Sequence, residues 1–368
     1  MIKIIANYLP QFHETEENNV WWGKGYTDWV AVKNAKTLFK GHSQPKTPQY
    51  GYYDLSNAKD ILWQSDLAKK YGIYGFGIYH YWFSSNLNLL SKPAEIILNH
   101  KEIDIHFMFI WDNGSWKRTW SNISFSNDWA PLFEIKDRTI TKMDNPQKGL
   151  LAELKYGNEP EWTAHFEYLL PFFKDDRYIK LNNRPVFVIF HQDNKSEVLS
   201  NMIQFWDKLS KQNGFDGICI ISQKNNEGIS ISDYEYSYQP IYSGWQKRNF
   251  AERLYRKLFH NELTHKYNYD KIWKTIIENE KNNNDPKSLP GAFVNYDDSP
   301  RRGKNGKIVV GGTPQKFEHY MKDLLKICYN KEFVFITAWN EWGEGAYLEP
   351  DTETELGYLI ALKNAIEN

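Results

Sequence analysis

Eight short apolar runs recur along this chain, and their number and spacing limit the folds that it can adopt. Each run is rich in β-branched or aromatic residues and has the length of a β-strand. Several of them are almost continuously hydrophobic, which is typical of strands buried on both faces of a parallel sheet. The predicted strands span residues 2–8, 74–81, 104–111, 185–190, 216–222, 234–239, 291–296 and 333–339.

Helical patterns lie between most of these runs. Ser56 can cap a helix that ends before Gly72, and Thr313-Pro314 begins another helix with an apolar stripe. Strands that alternate with helices predict βαβ units, and eight strands predict an α/β fold closed into a (β/α)8 TIM-type barrel. An open doubly wound sheet is the main alternative, but no glycine-rich phosphate loop follows any of the runs.

The domain organisation follows from length and composition. A chain of 368 residues can form one barrel, and no linker rich in proline, glycine or serine divides it. We therefore expect a single catalytic domain over residues 1–368. Polar and aromatic residues without clear periodicity predict long insertions in the βα loops at 9–55, 112–160 and 240–290.

Charge and cysteine content argue against several kinds of partner. The net charge is −1 without a large basic cluster, so we expect neither nucleic acid nor an anionic membrane surface as a partner. Cys219 and Cys328 lie in apolar patterns, which predicts buried thiols. His13 and His80 form no H-x-x-x-H pair, so no metal site is predicted. The N-terminus resembles a strand more than a signal peptide, and no run is long enough to span a membrane, which predicts a cytoplasmic protein.

The aromatic content points to a kind of substrate. Phe, Trp and Tyr make up 16% of the chain, with 15 Trp and 24 Tyr. Sugar rings offer C–H faces that stack on aromatic planes, and Trp and Tyr can add a hydrogen bond. The composition therefore favours a neutral oligosaccharide or polysaccharide, while the oligomeric state stays open.

Two carboxylates follow the last predicted strand, where the reacting groups of such barrels lie. Glu341 and Glu344 are three positions apart in a turn that contains glycine, so they can point to the same side. Paired carboxyls that flank a glycosidic bond are typical of glycoside hydrolysis, and their proximity should keep one of them protonated. The alternative is that both are solvated loop acids or ion-pair partners.

Other strand ends supply candidate substrate-binding residues, which combine stacking planes with hydrogen-bonding groups. For any single aromatic among them, packing between loop and barrel is an equal alternative, and for His80 a structural role is the favoured one. The candidates are Tyr8 and Gln11 after the first strand; His80, Tyr81 and Trp82 after the second; Trp111, Asp112, Asn113, Trp116 and Arg118 after the third; Tyr296 and Asp297 after the seventh; and Asn340 and Trp342 after the eighth.

The run NEWGEGAYLEP, residues 340–350, resembles the ending of WbsX-like proteins, whose barrel is similar to that of the endo-α-mannosidases of glycoside hydrolase family 99. Further motifs extend the resemblance to WbsX-like proteins over nearly the whole chain, whereas that to the mannosidases rests mainly on the ending. These motifs are YLPQFH at 8–13, GYTDW at 25–29, GFGIYHYWF at 75–83, and Trp162 with His165 and Phe166.

The resemblance implies a retaining mechanism by neighbouring-group participation on an α-mannoside-like substrate, without a metal or organic cofactor. Glu341 would be the base that deprotonates the sugar 2-hydroxyl to form a 1,2-anhydro intermediate. Glu344 would be the general acid and base. Each such proton transfer contributes about 10²–10⁴-fold in rate.

The chain departs from the family pattern at two places. Where WbsX-like proteins carry Glu after the third strand, this chain has Gly114, and Asp112 is the acid that can replace its charge. After the seventh strand, the usual Asn is Asp298. For Asp297 and Asp298, turn hydrogen bonds and pairing with the arginines at 301 and 302 are as well supported as sugar binding.

Two other functions stay open. WbsX-like proteins often bear a glycosyltransferase label and occur with genes for surface polysaccharide such as lipopolysaccharide, which favours a biosynthetic transferase. No constellation for a diphosphate is recognised, however, because Asp297-Asp298 alone is a weak signal. A carbohydrate-binding protein without activity would keep the aromatic residues but would not need both Glu341 and Glu344.

Overall fold

The computed structural model describes residues 2–117, 150–191, 197–224, 232–245 and 265–367. Within them, one contiguous hydrophobic cluster joins the interior of the central sheet to the surrounding helices.

Parallel strands form the centre of the molecule, and their hydrogen bonds follow the order β6, β5, β4, β3, β2, β1, β8 and β7. All eight predicted strands are present, with bounds that shift by a few residues. The strands are β1 Lys3–Tyr8, β2 Gly75–Ser84, β3 His106–Trp111, β4 Arg184–Ile189, β5 Cys219–Gln223, β6 Tyr234–Tyr236, β7 in two segments Ser288–Leu289 and Gly291–Phe293, and β8 Phe333–Thr337.

The two segments of β7 close the sheet into a barrel. Ser288–Leu289 pairs with β6, whereas Gly291–Phe293 pairs with β8. Between them, the Pro290 carbonyl still accepts a hydrogen bond from the Phe335 amide at 3.1 Å. Because one short stretch of chain contacts both neighbours, the prediction of a (β/α)8 barrel is confirmed, and the open doubly wound sheet is excluded.

Helices pack around this barrel. Their inward faces are apolar, as in α4 (Glu197–Gln212), where Leu199, Met202 and Trp206 are buried. Thr313 caps α6 (Pro314–Ile327) by accepting a hydrogen bond from the Lys316 amide at 3.3 Å, as its sequence predicted. The helices are α1 Ala58–Lys70, α2 Lys92–Asn99, α3 Glu159–Lys174, α4 Glu197–Gln212, α5 Tyr269–Lys281, α6 Pro314–Ile327 and α7 Gly357–Glu367.

Two helix predictions require correction. The helix that was expected to start from Ser56 begins at Ala58, after Asn57 in extended conformation. The range 240–290 was expected to be an insertion without periodicity, yet it contains α5. In α5, Ile272, Trp273, Ile276 and Ile277 recur at helical spacing and are buried against the barrel.

Short elements occupy the loops of the barrel, and most of them lie in βα loops. The loop after β1 carries the helices Glu16–Trp22 and Trp29–Lys33, and the loop after β3 carries a pairing of Trp116–Lys117 with Leu150–Ala152. The remaining short elements are the helices Ile241–Gly244 and Ser299–Arg302, the 3-10 turns Gly303–Asn305 and Trp342–Glu344, and the strands Leu87–Leu89, Lys180–Leu181, His265–Asn268, Lys307–Val310, Asn340–Glu341 and Ala346–Tyr347.

Three other predictions concern the cysteines, membrane-spanning helices and the domain organisation. Cys219 and Cys328 are buried free thiols, which confirms their expected character. None of the helices in the described ranges has the length and apolar character to cross a bilayer. The single domain over residues 1–368 stays a prediction.

The closing strand yields a stability prediction. A Cβ on Gly291 would lie 1.7 Å from the Ser237 carbonyl oxygen, so β7 can approach β6 only with glycine there. Gly291→Ala should therefore lower the free energy of unfolding by about 3 kcal/mol, the upper end of typical overpacking costs.

Gly214→Ala is the matched control, because its Cβ would meet no atom within 4 Å and only its φ of 90° is strained. That strain costs roughly 1–2 kcal/mol. Urea unfolding of both variants measures the difference. A Gly291→Ala protein as stable as Gly214→Ala would contradict the proposed tight closure.

Candidate active site

A cavity of about 320 Å³ opens at the C-terminal ends of the barrel strands. Its walls come from the ends of most strands and from the loops that follow them. They include Leu9, Tyr79, Tyr81, Asp112, Gly114, Ser115, Trp116, Phe190, His191, Tyr238, Ile241, Tyr296, Arg301, Arg302, Glu341 and Glu344. Both predicted carboxylates are thus at one cavity.

A tight turn after β8 carries the two carboxylates. Asn340–Glu341 pairs antiparallel with Ala346–Tyr347, and Trp342–Glu344 forms one 3-10 turn between them. Gly345 ends that turn in the left-handed conformation, with a φ of 58° that glycine adopts without strain. This hairpin brings Glu341 and Glu344 to the same side.

Two of the candidate substrate-binding residues hold this turn and do not line the cavity. The Asn340 side chain accepts a hydrogen bond from the Leu9 amide at 2.7 Å and donates one to the Leu9 carbonyl at 3.0 Å. The Trp342 indole donates to Glu349 at 2.6 Å and stacks on Tyr347 with 3.8 Å between ring centroids. Both side chains are buried, so their role is to anchor the turn.

Glu341 is the more deeply buried of the two carboxylates. Its side chain is almost fully buried, and its Oε1 atom has no hydrogen-bond partner among the residues that the structure describes. Burial, followed by the negative charge of Glu344, raises the pKa of Glu341 to about 8, although the Tyr79 hydroxyl opposes this shift. This environment therefore favours the protonated form of Glu341.

Glu344 has a different environment. Its side chain is 22% exposed at the cavity, and its Oε1 atom accepts a hydrogen bond from Arg301 Nη1 at 2.8 Å. The guanidinium balances a negative charge on this carboxylate, whereas Glu341 has no such cation in direct contact among the described side chains. Two neighbouring carboxyls thus differ in the charge that their surroundings favour.

Four of the other candidates line the cavity, namely Tyr81, Asp112, Trp116 and Tyr296. The rings of Tyr81 and Trp116 meet edge to face, with centroids 5.1 Å apart. Asp112 Oδ1 lies 3.2 Å from His191 Nε2. These residues provide aromatic edges and one carboxylate at the wall.

Gly114, the departure from the family pattern, lies beside this carboxylate. A Cβ at position 114 would be 3.2 Å from His191 Nε2 and 3.5 Å from Asp112 Oδ1. The His191 ring and the Asp112 carboxylate therefore already occupy the space into which a side chain at 114 would begin.

Four candidates point outward from the barrel to the helices instead. Side chains alternate along a strand, so Tyr79 and Tyr81 face the cavity while His80 and Trp82 face α3. His80 Nε2 lies 2.8 Å from His165 Nε2, and burial lowers the pKa of His80 to about 3.

Tyr8 and Trp111 are the other two side chains outside the cavity. The Tyr8 hydroxyl donates to Gln64 of α1 at 2.6 Å, and the Trp111 indole donates to the Trp82 carbonyl at 3.0 Å. The expectation that these four side chains contact substrate is not supported, because they fill the layer between strands and helices.

The remaining candidates have separate positions. Asn113 brackets the His191 backbone, accepting from its amide and donating to its carbonyl, each at 2.7 Å. Gln11 is buried beside β1, outside the cavity wall. Asp297 faces a second cavity, where it accepts hydrogen bonds from His42 and Gln44 at 2.7 Å. Arg118 lies outside the described residues.

Sequence reasoning missed several residues of the site. His191 and Tyr238 follow β4 and β6, so reading every strand end would have found them. Tyr79 lies within β2, where only the register of the barrel reveals its direction; its hydroxyl is 3.2 Å from that of Tyr238. Arg301 was considered only as an ion-pair partner of nearby aspartates. Asp28, which contacts it, was noted as part of the GYTDW motif but not as a site residue.

Possible metal ligands do not cluster in the part of the chain that the structure describes. Within the described ranges, His, Cys, Asp and Glu side chains form no group of three or more that could hold a metal ion. That the chain needs no cofactor stays a prediction.

Comparison with solved structures shows the fold. A structure described as a glycoside hydrolase-like protein has a TM-score of 0.59 and 14% sequence identity, and the match covers 99% of this chain and 93% of that one. The GH99 endo-alpha-mannosidase from Bacteroides thetaiotaomicron has a TM-score of 0.54 and 13% identity, with 100% and 98% covered. Both similarities extend over the whole barrel.

Sequence comparison identifies relatives. The uncharacterized protein WxcX from Xanthomonas campestris pv. campestris (strain B100) is 26% identical over 375 residues, which cover 99% of this chain and 49% of that protein. The chain therefore spans about half the length of this relative. A family model described as Glycosyltransferase WbsX matches residues 4–362. Because that match covers almost the whole chain, the protein belongs to the WbsX glycosyltransferase family.

Proposed function

We propose that this protein is a carbohydrate-active enzyme that cleaves or transfers a glycosidic bond with Glu341 and Glu344. The observation that carries this proposal is the presence of both carboxyls at one cavity in opposite electrostatic environments. A pair that carries one proton can donate to a leaving oxygen and accept from a hydroxyl in the same reaction. The family is named as a glycosyltransferase family, and the similar structures are those of a glycoside hydrolase-like protein and a GH99 endo-alpha-mannosidase.

The proposed reaction follows the mechanism that the family resemblance implies. Glu341 takes the proton from the 2-hydroxyl of an α-mannoside-like sugar while O2 attacks C1, and Glu344 gives a proton to the departing oxygen. A water or acceptor hydroxyl then opens the 1,2-anhydro ring at C1. Glu344 takes the proton from this nucleophile, and Glu341 returns its proton to O2. Two inversions at C1 give net retention.

The proton on Glu341 in the free protein is compatible with this order of events. A proton on Glu341 and a proton on Glu344 give the same total charge, so the ratio of the two forms does not depend on pH. The singly protonated pair is the competent state. Substrate hydroxyls that contact Glu341 would shift the proton toward Glu344, since they hydrogen-bond to its ionised form.

The walls of the cavity are suited to a saccharide. Tyr81, Trp116 and Tyr296 offer aromatic surface, and Asp112 offers a hydrogen-bond acceptor at the same wall. The family's association with surface polysaccharide is compatible with an oligosaccharide or polysaccharide substrate.

A sugar-nucleotide glycosyltransferase is the second candidate, because the family description names that activity. Such an enzyme needs cations for the diphosphate. Arg301 and Arg302 are at the cavity, but both already form ion pairs, Arg301 with Asp28 and Glu344, and Arg302 with Asp298 at 3.2 Å. This occupancy favours the first candidate.

Removal of either carboxylate tests the proposal. Glu344→Gln and Glu341→Gln should each lower the rate of cleavage of mannose-containing oligosaccharides by about 10²–10⁴-fold, because each removes one proton transfer. Glu332→Gln, a half-exposed residue before β8, is the control and should retain full activity. Product analysis by chromatography, with and without sugar nucleotides, measures this. Transfer that requires a nucleotide donor would support the second candidate, and saccharide binding without turnover would contradict both.

The separate roles of the two residues predict different responses to the leaving group. Fluoride departs with little help from an acid, so Glu344→Gln should recover most of its rate on the glycosyl fluoride of the cleaved sugar. Glu341→Gln should stay slow on the same substrate, because O2 still has to lose its proton. Fluoride release, followed with an ion-selective electrode, measures both rates. Equal recovery in both variants would contradict the assigned roles.

The shared proton predicts a pH dependence. Above pH 8, Glu341 loses its proton and both carboxyls are ionised, so no acid is left in the pair. We expect kcat/KM to fall about tenfold per pH unit above this value. Measuring kcat/KM against pH in overlapping buffers tests the direction of this change. A value of kcat/KM that rises steadily through pH 9 would exclude a singly protonated pair.

A further inference from the structure

We propose that Asp28 and Arg301 form a positioning pair that fixes the Glu344 carboxylate at the cavity. The catalytic meaning of this pair depends on the proposed function. Its electrostatic effect can be measured without any substrate.

The contacts of Arg301 run from one carboxylate to another. Arg301 Nε and Nη2 lie 3.2 and 3.1 Å from Asp28 Oδ1, and Nη1 lies 2.8 Å from Glu344 Oε1. The planar guanidinium therefore has one side fixed by Asp28 while another side presents a donor to Glu344.

Asp28 also holds the backbone of the catalytic turn. The Gly343 amide donates to Asp28 Oδ2 at 3.2 Å, so the same carboxylate contacts both the turn and the arginine that faces it. A Cβ on Gly343 would lie 2.6 Å from both Arg301 Nε and Asp28 Oδ2. Only glycine allows this approach, which joins the loops after β1, β7 and β8.

Burial strengthens the effect of these charges. The side chains of Arg301 and Asp28 are 7% and 2% exposed, so water screens their interaction with Glu344 only weakly. Arg301 also lowers the pKa of Glu341, but no cation among the described side chains contacts that carboxyl directly. The position of Arg301 therefore explains why the two carboxyls differ.

Several ionisable groups act on Glu344 from the elements packed around it. Arg302, a second arginine in the described cavity wall, is paired with Asp298. The groups are Glu341 of the same turn, Asp28 from the loop after β1, Tyr238 from the end of β6, and Tyr296, Asp298, Arg301 and Arg302 from the loop after β7.

Changes at the two members of the pair should act with opposite sign. Arg301→Met removes the cation, so protonation of the pair becomes easier and the acid limb of the pH profile should move up by about 1–3 pH units. Asp28→Asn removes an anion that offsets Arg301, so the acid limb should move to lower pH. Arg301→Lys keeps the charge and should restore most of the wild-type limb. A residue that only supports the fold would not produce opposite shifts.

The closing experiment uses ¹³C NMR of the protein labelled at the glutamate carboxyl carbon, in the absence of substrate. The Glu344 signal is the one missing from Glu344→Gln. It should titrate at higher pH in Arg301→Met than in the wild type, and at lower pH in Asp28→Asn. Thermal unfolding checks that each variant is folded. If Arg301→Met does not fold, the shift in Asp28→Asn decides the test.

The outcomes separate the two proposals. An unchanged Glu344 titration in Arg301→Met, or a shift to higher pH in Asp28→Asn, overturns the positioning pair. The predicted NMR shifts in a protein without activity on saccharides would support the pair while the proposed function fails.

Discussion

The hydrogen bonds between the Asn340 amide group and the backbone of Leu9 fix the point from which the candidate active site is built. They connect the residues that follow β8 to those that follow β1, with donor–acceptor distances of 2.7 and 3.0 Å. The turn that carries Glu341 and Glu344 begins directly after these hydrogen bonds. Trp342 and Glu349 secure its other side. Both carboxylates therefore stand on rigid elements, as preorganised catalysis requires.

The chemistry of the site depends on an asymmetry of charge. Glu341 is buried with no described cation in direct contact, whereas Arg301 donates a hydrogen bond to Glu344. Two identical side chains, three residues apart, thus have different charged contacts. The charges that produce this asymmetry come from residues that the barrel brings together from distant parts of the chain.

The sequence was sufficient to predict the barrel because each strand leaves a local signal in apolar and β-branched residues. It also placed Glu341 and Glu344 in one turn, since both lie within four residues. Side-chain direction was harder to predict. Tyr81 faces the cavity while its neighbours His80 and Trp82 face a helix, and a shift of one residue in register would reverse this.

Local sequence patterns could not predict the contacts between residues that are far apart in the chain. Asp28 and Arg301 are 273 positions apart, and nothing near Asp28 in the sequence indicates that it contacts the turn after β8. Helix α5 had a readable pattern, with Ile272, Trp273 and Ile276 at helical spacing, but it lies in a range that was interpreted as an insertion.

The stereochemistry of the first product tests the central claim most directly. Proton NMR of an α-mannoside-containing substrate, recorded from the first minutes of reaction, distinguishes the anomers before they equilibrate. We predict that the α-anomer appears first, because a 1,2-anhydro intermediate formed with Glu341 and Glu344 requires two inversions at C1. Initial appearance of the β-anomer would contradict this mechanism.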